Sequence, residues 1–200
     1  LNNQLRQTSF YYDNHANLTD SPSKGLLTKR VRWGGAGLPN PTDLYTYDAT
    51  GNLLTTTDPM NNVTTIAYDP IKLFPLTTTN ALGQIVTTEY YGINTVALND
   101  GAGLVGLWGQ VKSVKDSNNQ KAYRVYDTFG RMTKSISPLD SVSFPTTIIE
   151  YTYTSQYTSI KTRQRRNHGV AGVVDAVQFY DGLGRLVQTK TKAIAANQYV

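Results

Sequence analysis

Cysteine is absent from the chain, which removes disulfide scaffolds, thiol nucleophiles and thiolate metal sites together. The compartment stays open, because an extracellular protein can also lack Cys. Glutamate is nearly missing: of 14 acidic residues only Glu89 and Glu150 are Glu. Helix surfaces use Glu freely, so long amphipathic helices are not expected. Charged residues make up 16% and hydrophobic residues 39% of the chain, against roughly 25% and 45–50% in ordinary globular domains. A dense two-layer core is therefore not expected. No apolar run reaches the ~20 residues of a transmembrane helix. The opening Leu1-Asn2-Asn3-Gln4 has neither an initiator Met nor the charged and apolar regions of a signal peptide, so the sequence reads as an internal fragment of a larger protein.

What the chain does hold is tyrosine, 14 of them in 200 residues, together with many threonines, a composition that fits pleated strands. The formal charge of +5 is mildly basic. A search for internal repeats is productive. The segment Tyr47-Asp48-Ala49-Thr50-Gly51-Asn52-Leu53 recurs as Tyr126-Asp127-Thr128-Phe129-Gly130-Arg131-Met132 and as Tyr180-Asp181-Gly182-Leu183-Gly184-Arg185-Leu186. Partial copies stand at Tyr12-Asp13, Tyr68-Asp69, Tyr90-Tyr91-Gly92 and Tyr153-Thr154.

Each copy reads as a strand, a tight turn and a returning strand. An Asp in the first turn position accepts a backbone N–H two residues on, and a Gly three residues later takes the left-handed conformation of a bulged hairpin. Turns at the other strand ends are marked by Asp58-Pro59-Met60-Asn61-Asn62, by Asn80-Ala81-Leu82-Gly83-Gln84 and by Asp116-Ser117-Asn118-Asn119-Gln120. There Asn61 and Asn119 are expected in the conformation that Gly83 adopts at less cost. Between the turns lie Thr-rich, β-branched runs of strand length, such as Val63-Thr64-Thr65-Ile66-Ala67-Tyr68. The predicted fold is all-β: at least six consecutive antiparallel hairpins with negligible helix. Residues 1–200 are predicted to form one repeat region, with irregular loops near 34–41 and 98–109.

The Tyr-Asp-x-x-Gly-Arg-Leu pattern, with Asp58-Pro59 followed by Val63-Thr64-Thr65, resembles the YD or RHS repeats of bacterial polymorphic toxins, of the B and C components of insecticidal Tc toxin complexes and of the animal teneurins. The resemblance runs from about residue 12 to residue 192. Phe179 through Thr191 and the stretch Thr162-Arg163-Gln164-Arg165 look most like the Tc B component and related secreted RHS proteins. The resemblance implies a section of a spiralling β-sheet shell that encloses a C-terminal toxic polypeptide. It implies as partners the remaining shell of the same protein or a partner shell subunit, and a secreted or cell-surface location. The residues that carry the repeat are Tyr47, Asp48, Gly51, Tyr68, Asp69, Gly83, Tyr126, Asp127, Gly130, Arg131, Tyr180, Asp181, Gly184 and Arg185. Self-cleaving RHS shells close with Asp-Pro-x-Gly-Leu. Neither Asp58-Pro59-Met60-Asn61-Asn62 nor Asp69-Pro70-Ile71-Lys72-Leu73 has that Gly-Leu. Tyr91 and Thr154 replace the repeat's Asp, so distorted turns are expected there.

Other chemistries find less support. Gly101-Ala102-Gly103-Leu104-Val105-Gly106 matches G-x-G-x-x-G, but the strand before it and the helix after it that a dinucleotide site needs are not predicted, so a flexible inter-hairpin loop is expected. His15 and His168 are the only histidines, and neither has a motif that supplies a nucleophile or metal partner. The acids form no recognisable pair for glycoside hydrolysis and no calcium loop. The basic runs Lys29-Arg30-Val31-Arg32-Trp33 and Lys161-Thr162-Arg163-Gln164-Arg165-Arg166 are too interrupted for a nucleic-acid footprint and are expected as charged strand faces. Tyr47, Tyr126 and Tyr180 are expected to stack across neighbouring strands. The reading is a non-enzymatic shell segment without cofactor, metal, nucleic acid or membrane span. The alternative is an extracellular adhesive module that binds glycans or a partner protein through its Tyr-rich face.

Overall fold

The computed structural model of the chain describes residues 6–192. As the sequence predicts, no helix occurs among them. Fourteen strands are hydrogen-bonded to their sequence neighbours in the order β1 to β14, in antiparallel pairs, as a chain of short-turned hairpins must be. The chain divides into two compact units, Leu1–Thr87 and Thr88–Val200.

The first unit contains β1 (Thr8–Tyr12), β2 (Leu27–Arg32), β3 (Thr42–Tyr47), β4 (Leu53–Thr57), β5 (Val63–Tyr68), β6 (Pro75–Thr79) and the start of β7 (Ile85–Tyr90). Threonine dominates because it suits either face of a half-exposed sheet. Thr46 pairs with Thr55, Thr55 with Thr65 and Thr65 with Thr79, a row across β3 to β6. The Thr46 and Thr55 hydroxyls lie 2.6 Å apart. The buried residues of this unit are polar: Thr28, Asp43 and Asp69. Asp43 lies between Arg30 Nε at 3.0 Å and Arg32 Nη2 at 3.1 Å, which balances its burial with two charge-assisted bonds. Cohesion here comes from the strand ladder and its turns.

The second unit contains β8 (Val111–Lys115), β9 (Lys121–Tyr126), β10 (Met132–Ile136), β11 (Thr147–Tyr153), β12 (Thr158–Arg165), β13 (Val173–Tyr180) and β14 (Leu186–Thr191). Among the described residues, all the buried hydrophobic ones belong to it: Tyr91, Ile93, Leu104, Val125 and Ile136. Three of these five come from the irregular stretch that follows β7. The G-x-G-x-x-G segment is therefore not the flexible loop expected from the sequence. Leu104 packs with Val125 and Ile136, and Asp100 closes a turn by accepting the N–H groups of Ala102 and Leu104. Gly106 lies against the Tyr91 ring so closely that a Cβ there would meet Tyr91 Cδ2 at 2.3 Å. Its glycine serves ring packing rather than a phosphate.

Candidate functional site

Six turns repeat one backbone pattern, beginning at Asp48, Asp58, Asn80, Asp116, Asp127 and Asp181: the first residue's N–H bonds the carbonyl four residues on, and its own carbonyl accepts the N–H three residues on. The third residue after the Asp or Asn is left-handed in each case: Gly51, Asn61, Gly83, Asn119, Gly130 and Gly184 all have φ between 61° and 91°. The Asn61 and Asn119 expectations hold, since Asn is the side-chain-bearing residue best suited to that region. The Asp69 turn is one residue longer and places Lys72 at φ 61°. Its carboxylate accepts the N–H groups of Leu73 and Phe74 at 2.8 Å.

The carboxylate organises each turn. Asp127 Oδ1 accepts the N–H groups of Phe129 and Arg131, both at 2.9 Å, while Oδ2 takes the Arg131 guanidinium at 2.7 Å. Asp181 does the same with Leu183 and Arg185. Asp48 uses Thr50 and Asn52, with the Asn52 amide standing where Arg stands elsewhere. The Arg or Asn of the repeat is thus a strut onto the turn carboxylate. Hydrogen bonds from Thr50 and Asn52 outweigh desolvation and hold the Asp48 carboxyl at about 2, below its ordinary 3.8. Bonds to the ionised form keep Asp58, Asp69, Asp127 and Asp181 below the usual range as well. Every resolved carboxyl shift among the described residues is downward, Glu89 and Asp140 included.

The tyrosines contribute through their hydroxyls. Tyr47 donates to the Leu27 carbonyl at 2.8 Å, Tyr68 to Leu53 at 3.2 Å, Tyr126 to Val111 at 3.1 Å and Tyr151 to Met132 at 3.1 Å. In each case the acceptor is the first residue of the preceding strand. Successive Tyr-Asp hairpins lie two strands apart, roughly 9–10 Å, too far for their rings to stack but within reach of a phenol extended across one strand. This replaces the expected Tyr ladder. Tyr126 does meet Tyr91 edge-on at 6.2 Å. Tyr180 departs from the pattern and donates to Gln178 Oε1. The latch was missed in the sequence, although its signal was present: Leu or Met stands five residues after each full-repeat Asp.

The two repeats without Asp diverge. Thr154 keeps the turn, its hydroxyl accepting the N–H groups of Gln156 and Tyr157 at 3.2 and 3.0 Å. Tyr91 abandons it: its ring is fully buried, its hydroxyl donates to the Arg124 carbonyl, and burial pushes the phenol pKa up.

Of the remaining candidates, His15 Nδ1 is buried without a hydrogen-bond partner, 4.0 Å from Asp20 Oδ2, and the others are engaged structurally. His168 Nδ1 lies 3.1 Å from Asp140 Oδ2, which also takes the Thr146 hydroxyl. Lys161 pairs with Asp175 and Arg163 with Glu150, both at 3.1 Å, and Arg165 donates to the Pro145 carbonyl. In the first unit a cavity of about 320 Å³ is lined by Asp13, Asn14, Lys24, Tyr45 and Tyr47 among others. Four backbone N–H groups, from Ser23 to Leu26, converge on Asp13 there. Its carboxylate caps a loop and is held well below the ordinary range.

No model of a known protein family matches the chain, and no curated protein matches it. Among solved structures it is similar to a TcdB2-TccC3 crystal structure without the hypervariable C-terminal region, at 17% identity and a TM-score of 0.41, covering 88% of this chain and 11% of that one. A TcdB2-TccC3-Cdc42 crystal structure gives 16% identity and the same score and coverage. A Photorhabdus luminescens Tc holotoxin pore gives 14% identity and a TM-score of 0.22, covering 90% of this chain and 15% of that one. The chain therefore spans only a small part of the proteins it resembles.

Proposed function

We propose that residues 1–200 are one YD-repeat region, a non-enzymatic section of a β-sheet shell that encloses or presents another polypeptide, a C-terminal toxin in the arrangement that the repeat resemblance implies. The observation that carries this reading is where the recurrent side chains go: the Asp, Arg and Asn of the repeats close their own turns, and the Tyr hydroxyls tie strand to preceding strand. The motif's chemistry is consumed in building a strip. Its partners would be further shell, from the same protein or a partner subunit, and the enclosed polypeptide, in a secreted or cell-surface setting. The test is limited proteolysis of the parent protein beside a variant in which Tyr68, Tyr126 and Tyr151 are all Phe. Enclosure predicts a C-terminal polypeptide that resists protease in the wild type and is digested in the variant. Equal digestion in both refutes it.

A second reading, adhesion, draws on one cluster. Phe129 and Tyr153 are 81% and 62% exposed, and together with Tyr151 they surround the Arg131 guanidinium at 4.3–5.2 Å from their ring centres. Exposed aromatics beside Arg suit a binding hot spot. Loss of glycan or cell-surface binding in the Phe129→Ala, Tyr153→Ala double variant, with digestion of the C-terminal polypeptide unaffected by the Tyr variants above, would favour it.

A further inference from the structure

The first Tyr-Asp hairpin is built differently from the others. The Asp48 carboxylate closes its turn on the N–H four residues on, whereas Asp13 Oδ1 takes the Leu26 N–H 13 residues on. The segment between is held as a loop. Asp13 Oδ2 gathers the N–H groups of Ser23, Lys24 and Gly25 at 2.7–3.0 Å, and the Asn14 N–H bonds Thr28 Oγ1 at 2.9 Å. Asp13 and Asn14 stand in succession in the left-handed region, at φ 53° and 62°, a backbone cost that glycine spares the full-repeat turns. A long loop set on a regular scaffold is where binding residues are commonly carried.

Between this loop and β3 lies the cavity of about 320 Å³, which is within the range of small-ligand sites. Its lining comes from the loop, from β2 and from the end of β3 with Asp48, and none of it belongs to the edge strand β1. Tyr45 and Tyr47 share one face of β3, and the bond from the Tyr47 hydroxyl to the Leu27 carbonyl fixes that wall. Three polar groups of the lining have no hydrogen-bond or ion-pair partner among the described residues: the Asn14 side-chain amide, the Lys24 ammonium and the Tyr45 hydroxyl. Asp48 Oδ2 takes only the Asn52 amide, at 3.2 Å, and a carboxylate oxygen can accept a second bond.

These groups narrow the ligand. An anion that pairs with Lys24 meets the Asp13 and Asp48 carboxylates, and a cation that pairs with those meets Lys24, so neither sign of charge gains without opposition. Donors, acceptors and aromatic rings together suit an uncharged molecule whose hydroxyls both donate and accept and whose C–H face lies against a ring. We infer that this cavity is a binding site for one neutral sugar ring, its C–H face against Tyr45 and Tyr47 and its hydroxyls bonded by Asn14, Lys24 and Asp48. The inference goes beyond the shell reading and does not rest on it. With the adhesion reading it shares the class of ligand and not the place, since the Arg131 cluster belongs to the second unit.

The test is a titration of the 200-residue chain, followed by amide NMR, with the methyl glycosides of glucose, galactose, mannose and N-acetylglucosamine in turn. A single ring binds at roughly millimolar strength, and at least one of the four is expected to shift the amides of Ser23–Leu26 and Tyr45–Asp48 to saturation. Asn14→Gly, which keeps the left-handed backbone, Lys24→Ala and Tyr45→Phe each remove one polar group and are expected to weaken binding by about three- to tenfold. The Phe129→Ala, Tyr153→Ala double variant is expected to bind as wild type does. The site is overturned if none of the four glycosides shifts these amides to saturation, or if Asn14→Gly and Lys24→Ala leave binding equally tight. Glucuronate or glucosamine binding more tightly than every neutral glycoside overturns the uncharged class. Shifts confined to the surroundings of Phe129 and Tyr153 overturn this site while favouring the other cluster, and protease protection in the parent protein reads the enclosure separately.

Discussion

At the scale of single residues, the turn carboxylates couple stability to pH in a defined sense. Asp48 is held at about 2 in the folded chain against an ordinary 3.8. A depressed carboxyl contributes its stabilisation above its unfolded value and loses it as pH falls through the folded one. The Asp48 turn should therefore weaken between about pH 4 and 2. Asn80 provides an internal control, because it closes its turn with the same bonds to Leu82 and Gln84 and has no proton to gain. Amide exchange from pH 5 to 2, corrected for intrinsic rates, should show Asn52 losing protection while Gln84 keeps it; parallel loss at both would show that the carboxylate charge is not what holds the turn. The glycines make a second prediction. Gly184 has φ 76° with open space around its missing Cβ, whereas at Gly130 a Cβ would come within 3.1 Å of Gln110 Nε2. Gly184→Val should cost more than ~1 kcal/mol from backbone strain, Gly130→Val more again, and Gly184→Asn markedly less, since Asn61 and Asn119 already occupy that position. Thermal melts of the three variants rank them.

At the scale of elements, hairpins and turn ends were legible because their signals are local: Asp, then Gly or Asn three residues on, between β-branched runs. Less legible was what joins one hairpin to the next. The Tyr68 bond to Leu53 spans 15 residues, and a periodic Tyr looks the same in sequence whether its ring stacks or its hydroxyl reaches a carbonyl. Strand spacing decides between them, and that is a property of the sheet. The packing of residues 91–110 was hidden for a related reason. A glycine-rich stretch reads as loose, yet Gly106 is small so that Tyr91 can lie against it and Gly92 so that Trp108 can. Gly106→Ala should consequently destabilise the second unit by about 1–3 kcal/mol through overpacking, although alanine is harmless at an ordinary loop glycine. A denaturant midpoint equal to wild type would mean that the Tyr91 ring moves aside freely.

At the scale of the whole molecule, contacts between strands run between sequence neighbours, as in repeat proteins whose stability is a sum of units and nearest-neighbour interfaces. Among the described residues, the buried hydrophobic side chains all fall after residue 90. Damage should then stay local. Native-state hydrogen exchange of Gly106→Ala should show faster opening of β8 to β10, where Leu104, Val125 and Ile136 pack together, with β3 to β6 exchanging as in wild type. Conversely, Tyr68→Phe should loosen β4 and β5 by about 0.5–1.5 kcal/mol, the worth of one hydrogen bond, and leave β9 and β10 unchanged. The double variant should equal the sum of the two single effects within about 0.5 kcal/mol, as for sites without shared partners. Uniform acceleration across all strands from either substitution would instead mean that the chain unfolds as one cooperative body, which a succession of neighbour-bonded hairpins does not provide.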